Sequence, residues 1–352
     1  MKYRTFSILT LLALLLVSVA PLAAQEETPE PTPEATEEAS TEIFTDEASL
    51  VVLEETEDTR VIQHLAGETE IPADPQRIVT LQDQNALLPI LELGEGERVV
   101  GSTGVLQNDG SVLFRRTQNY DTSDVTYVGT FSEPNLEVIS ELEPDLIVAS
   151  QFEITDENYD LLSAIAPTVV VEQFTRSVWG STFDYALLVN AQDEAIALKA
   201  DYDERIANLQ AELDAPSEIT VSILGPREGG FSVGFFIHSA DLTVISDLGL
   251  SIPLLQEAQI EGGEFNVFSL EALQEVDGDV LYVIDFSGSS ESITGSPLYA
   301  TLDVVQAGQA HVVDGSRFAG LSPQALFAWV EVFEETLLVD DLDTRIVQET
   351  VE

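Results

Sequence analysis

One stretch of this chain occurs twice, and that repeat limits the folds available to it. Asn135–Ser150 reads NLEVISELEPDLIVAS; shifted by 134 positions it lies without a gap over Ser269–Ile284, SLEALQEVDGDVLYVI. Leu136, Glu137, Glu141 and Asp145 fall on Leu270, Glu271, Glu275 and Asp279. Each copy opens on a capping side chain, Asn135 or Ser269, with a glutamate in the first helical turn. Each then breaks at a turn (Glu-Pro-Asp or Asp-Gly-Asp) and ends in a run of apolar and β-branched residues, the pattern of a buried strand. A helix-to-strand unit present once in each half predicts an α/β protein of two related lobes.

The segments on either side fit that frame. RVIQHLAGETEI alternates about a Gly-Glu turn like a hairpin. PADPQRIVTL, ERVVG, PTVVVE, SEITVSILG and QAHVVD read as further strands, and helical patterns fall near 84–93, 157–165, before Gly249 and over 323–337. Residues 102–126 read as a long irregular loop carrying Arg115 and Arg116. Between the repeats, Phe183, Leu187, Ala191, Ala195, Leu198, Tyr202, Ile206, Leu209 and Leu213 recur every three or four positions. That spacing predicts one continuous connecting helix over 182–214, a rod of roughly 48 Å at 1.5 Å per residue. The expected divisions are a signal peptide (1–24), an acidic Pro/Thr/Glu-rich linker (25–59), a first lobe (60–181), the helix, a second lobe (215–340) and a frayed tail (341–352).

The basic start and short apolar run at the N-terminus predict export to a periplasm or the cell exterior, with an uncleaved membrane anchor as the alternative. The chain has no cysteine, which excludes disulfides, thiolate metal sites, a cysteine nucleophile and a lipid anchor on cysteine. Its 64 acidic and 13 basic residues give a net charge of −51, which repels nucleic acid and anionic membrane. The three histidines, His64, His238 and His311, are too dispersed for a metal-ligand motif, and neither a dinucleotide nor a P-loop fingerprint occurs.

Taken in order, PADPQRIVTL, LGEGERVVG, VG…PNLE-x-I-x-x-L-x-PDLIVAS, DLGLSIP, SPLYATLDVVQAGQAHVVD and FAGLSP-x-A resemble the ferric-siderophore and cobalamin substrate-binding proteins of bacterial ABC importers, the class III periplasmic binding proteins. The similarity runs from about residue 60 to 340. It implies two Rossmann-like lobes joined by one long helix, with a shallow ligand cleft between them. It also implies that Glu137 and Glu271 dock onto arginines of a membrane permease; read without it, they are first-turn acids favoured by the helix dipole.

Open α/β lobes bind ligands at loops beyond the carboxyl ends of their strands. The candidates there are Gln82, Asn85, Arg115, Arg116, Arg176 and Trp179 in the first lobe, and Arg227, Phe235, Phe236, Arg317 and Phe318 in the second. Arginines kept in so acidic a chain suit an anion, through forked hydrogen bonds to carboxylate or catecholate, with aromatics covering apolar parts. The adjacent pair Arg115–Arg116 is expected to split, one inward and one outward. The ligand expected is a ferric siderophore, with cobalamin or haem as the alternative. No metal site or cofactor belonging to the protein is expected, the chain acts as a monomer, and it is not an enzyme. An exported enzyme or sensor on the same scaffold is the other class; saturable binding without turnover separates them.

Overall fold

The structure is a computed structural model that describes residues 49–173, 177–233, 239–255, 266–318 and 320–338. The expected signal peptide, most of the acidic linker, the tail 341–352, and Arg176, Phe235, Phe236 and His238 lie outside the described residues.

Order begins before the boundary expected at residue 60. β1 (Val51–Glu55), β2 (Thr59–His64) and β3 (Gly67–Pro72) form an antiparallel ribbon in that order, so the end of the expected linker is a strand. Its start is held by Asp184: the amides of Ser49 and Leu50 and the Ser49 hydroxyl all donate to that buried carboxylate, at 2.6–2.9 Å. Alternation along β2 turns Arg60, Ile62 and His64 inward. Burial lowers the His64 pKa to about 4. The neutral ring is bonded through Nε2 to the Thr69 hydroxyl, and its Nδ1 accepts the Val170 amide.

The first lobe is a parallel sheet of β4 (Ile78–Thr80), β5 (Val99–Ser102), β6 (Thr126–Tyr127), β7 (Leu146–Ser150) and β8 (Thr168–Val171), ordered β8-β7-β4-β5-β6. Its helices are α1 (Leu88–Glu92), entered through a π-helical turn at Asp83–Leu87, α2 (Leu136–Glu141) and α3 (Asp156–Ser163). The connector follows as α4 (Val178–Val189) and α5 (Gln192–Glu212). The second lobe orders β9 (Val221–Arg227), β10 (Gly230–Val233), β11 (Val280–Asp285) and β12 (Ala310–Asp314) as β10-β9-β11-β12, with only β10 antiparallel. Its longer described helices are α6 (Ala240–Leu248) and α7 (Pro323–Thr336).

The repeat survives in three dimensions. β7 and β11 begin at Leu146 and Val280, and each is an interior strand with a parallel neighbour on both sides. The Asn135 side chain accepts the Glu137 and Val138 amides and starts an α-helix. Ser269 makes no such cap, bonding the Glu271 carboxylate instead, and the second copy is a 3-10 turn over Leu270–Val276.

The expected single helix over 182–214 is two helices. Asn190 takes a left-handed conformation (φ 60°), which an asparagine tolerates, and its amide donates to the Ala73 carbonyl and Asp74. Arg60 completes the break by donating to the carbonyls of Leu187 and Leu188. α4 is buried along its whole length and belongs to the first lobe, whereas the 21 residues of α5 make a connector of roughly 32 Å.

Both sheets are covered on two faces. One core runs without interruption from Ile78, Leu87 and Val148 through Phe183 and Tyr202 to Val221, Tyr282 and Trp329, tying both lobes to the connector. Alternate strand residues face two smaller cores, one per lobe: Val79, Ile147 and Ala149, and Leu224, Leu281 and Val283. Tight backbone approaches close each outer face. A Cβ on Gly230 would collide with the Phe268 carbonyl, the acceptor of the Phe231 amide at 2.9 Å. Gly230→Ala is therefore expected to cost about 2 kcal/mol or more, read as a lower urea midpoint at unchanged m-value.

Candidate ligand cleft

The carboxyl ends of both sheets carry the candidate residues. At the end of β4 the chain turns through Gln82 and Asp83. Asp83 is fully buried and takes three donors from Arg115, 32 positions away: the amide and Nε onto Oδ2, each at 2.9 Å, and Nη2 onto Oδ1 at 2.5 Å. This forked pairing consumes the Arg115 guanidinium. The next residue, Arg116, leaves the loop in the left-handed region, with φ 67°.

Arg116 is half-buried and reaches the second lobe, where a Cβ on Gly320 would collide with its Nη1. Burial, with Arg115 alongside, lowers its pKa from 12.5 to about 10, Asp83 acting the other way, so it stays charged at neutral pH. Among the described lysines and arginines Arg116 alone has neither a hydrogen bond nor an ion pair. Arg98 and Arg205 bind acids, Lys199 binds Asp203, and Arg60 and Arg77 bind carbonyls. The two arginines differ in partner, Arg115 being held by Asp83, but both are half-buried, so neither takes the outward position expected for one of them.

The other candidates take different positions. Gln82 is half-buried near the buried Glu153, whose Oε2 accepts the Ser150 amide and hydroxyl at 2.7 and 2.6 Å, whose Oε1 has no partner among the described residues, and whose pKa burial raises. Asn85 is buried in the same turn. Arg227, at the end of β9, is half-buried with a lowered pKa from burial and donates to the Pro226 carbonyl. Arg317 is half-exposed; it pairs with Glu331 on α7 and lies over the Phe318 ring. Phe318 itself is buried, edge-on to Trp329 at 4.9 Å between centroids, so the structure places it in the core.

Trp179 is likewise packed inside, against Phe183 and Tyr202 at the start of α4, with no acceptor for its buried Nε1. It lines a cavity of about 460 Å³ beside α5, together with Lys199, Asp203, Gln210 and Asp247. Both rings were expected at the ligand on account of flanking loop residues; helical packing pulls them inward instead. Among the described residues, the exposed aromatics near the strand ends include Phe131, Phe152 and Phe286. Among the described residues no cluster of histidine and acidic side chains could hold a metal, and no helix is long and apolar enough to cross a membrane.

Glu137 and Glu271 are both exposed. Asn135 donates to the Val128 carbonyl beyond the end of β6, and Phe268 pairs with Phe231 opposite the end of β9. Each glutamate therefore stands on the carboxyl-end rim of its sheet, the rim that also holds the arginine loops.

Two further residues escaped the sequence reading. Asp83 lies in the cleft loop between the candidates Gln82 and Asn85, but nothing in the sequence marks it as the anchor of Arg115. Glu92, which accepts the Gln324 amide of the other lobe at 2.9 Å, was one acid among 64.

Two lobes, a helical connector and a basic group between strand ends define a bilobal solute-binding protein. The chain matches the model of the periplasmic binding protein family over residues 78–315 and belongs to that family. It is 30% identical over 271 residues to the probable siderophore-binding lipoprotein YfiY of Bacillus subtilis, covering 73% of this chain and 80% of that one. It is 29% identical over 276 residues to the Fe(3+)-citrate-binding protein YfmC of the same organism, covering 76% and 83%. In fold it resembles Staphylococcus aureus SirA, solved in complex with staphyloferrin B, with a TM-score of 0.64 at 24% identity over 80% of this chain and 99% of that one.

Proposed function

We propose that this protein is an extracytoplasmic receptor that captures an anionic ferric chelate, a ferric siderophore or ferric carboxylate complex, between its lobes. It then delivers the chelate, chemically unchanged, to the permease of an ABC importer. The observation that carries the reading is Arg116. A half-buried guanidinium with no hydrogen-bond or ion-pair partner among the described residues is costly, and an anion that pairs with it recovers that cost. The related proteins named for siderophore and ferric citrate binding support the same ligand class.

Isothermal titration of the protein with ferric citrate, ferric hydroxamates and ferric catecholates, alongside haem and cobalamin, tests the reading. Saturable binding confined to ferric chelates supports it; binding of haem or cobalamin alone overturns it. Delivery is tested separately at the rims. Glu137→Arg with Glu271→Arg is expected to leave chelate affinity unchanged while lowering radioactive iron uptake by more than about tenfold, since like charges oppose a basic docking partner. Unchanged uptake in the double variant would remove the docking role.

A further inference from the structure

The segment that leads into α7 is held by the first lobe at two points. Arg116 lies against Gly320 at its start. Four residues on, Glu92 at the end of α1 accepts the amide of Gln324, the second residue of α7. Ser322, which sits at the N-cap position, gives α7 no side-chain cap of its own. The acid that satisfies this helix end is therefore supplied across the interface.

The Glu92 carboxyl is strongly desolvated. Its Oε2 is buried with no partner, and burial pushes its pKa up to about 8 against the pull of the Gln324 amide and the Ser322 hydroxyl. Burying such a group is costly, and the Gln324 amide offsets part of that cost. The far half of α7 is tied elsewhere: Glu334 pairs with Arg205 of the connector at 2.6 Å. Loss of Glu92 would thus free only the end of α7 that adjoins Gly320.

We propose that Glu92 is a positioning residue: by capping α7 from the opposite lobe, it fixes residues 320–324 against Arg116 and so sets the lobe spacing at which an anion is held. Only the consequence for ligand affinity rests on the anion reading; the effect on spacing needs no ligand.

The chain's lack of cysteine allows a clean test. Spin labels on Ser140→Cys and Ala300→Cys, exposed positions in opposite lobes, report lobe spacing by pulsed electron resonance in the full chain. Glu92→Ala is expected to lengthen and broaden the distance distribution at temperatures well below unfolding. Glu92→Gln, which keeps the oxygen that accepts the Gln324 amide, is expected to restore it. With ferric citrate as probe, Glu92→Ala should weaken binding about tenfold, the worth of one well-made hydrogen bond, and Glu92→Gln should remain within about twofold of the parent. A merely stabilising residue would lower the melting temperature and leave the distances alone. Wild-type distances in Glu92→Ala, or a glutamine variant that behaves like alanine, overturns the proposal. If the parent fails to bind ferric citrate, that result counts against the ligand assignment, and the label distances still decide the role of Glu92.

Discussion

Arg116→Ala should weaken capture of an anionic ferric chelate by roughly 10- to 150-fold, the range spanned by a charge-assisted hydrogen bond of about 1.5–3 kcal/mol. The same change should leave folding intact or slightly improve it. Among the described residues Arg116 has no hydrogen-bonded partner to lose, and relief of its desolvated charge offsets the loss of its contact with Gly320. Arg116→Gly should stabilise further, because glycine takes the left-handed backbone without steric cost. Arg116→Lys keeps the charge without the planar fork and should fall between parent and alanine. Calorimetric titration paired with thermal melting reads both effects. Undiminished affinity in Arg116→Ala would remove the central support for an anion in this cleft.

Asp83→Ala is expected to produce the largest loss of stability, roughly 3 kcal/mol, because it removes the buried acceptor of two guanidinium bonds and of the Arg115 backbone amide. Chelate affinity should fall as well, since Arg115, once released, no longer dictates the backbone that aims Arg116. A double-mutant cycle separates pairing from packing. Asp83→Ala combined with Arg115→Met should cost clearly less than the sum of the two single changes, as expected when one partner's loss strands the other. Additivity in urea melts would show that the two side chains do not act as a unit.

The scaffold was largely legible, and the reasons are visible in single elements. Buried strands such as Leu146–Ser150 and Thr168–Val171 are unbroken apolar or β-branched runs, and the repeat supplied their counterpart at Val280. The break at Asn190 was not legible. Leu187, Ala191 and Ala195 all remain buried across it, so apolar spacing cannot register a change of helix axis. Among the site residues, Arg115 and Arg116 are chemically identical neighbours; which one is spent on a structural pair depends on Asp83, a long-range contact that no local pattern encodes. Trp179 and Phe318 show the opposite failure: each stands next to loop residues, and packing within the core outweighs that position. Glu92 was hidden by abundance, since in a chain this acidic no single glutamate stands out before its surroundings are known.

The paired interior strands β7 and β11 also bear on how such a protein can change. Their 134-residue offset is that of the sequence repeat, and each strand is hydrogen-bonded on both edges. The first strands of the two lobes, Ile78 and Val221, are not in that register, so length was gained or lost between first strand and repeat. In the first lobe that interval holds Asp83, Glu92, Arg115 and Arg116. If the proposed cleft is the binding site, changes confined to that one stretch would alter ligand preference while the repeated frame, and the rim glutamates it presents, stay in place.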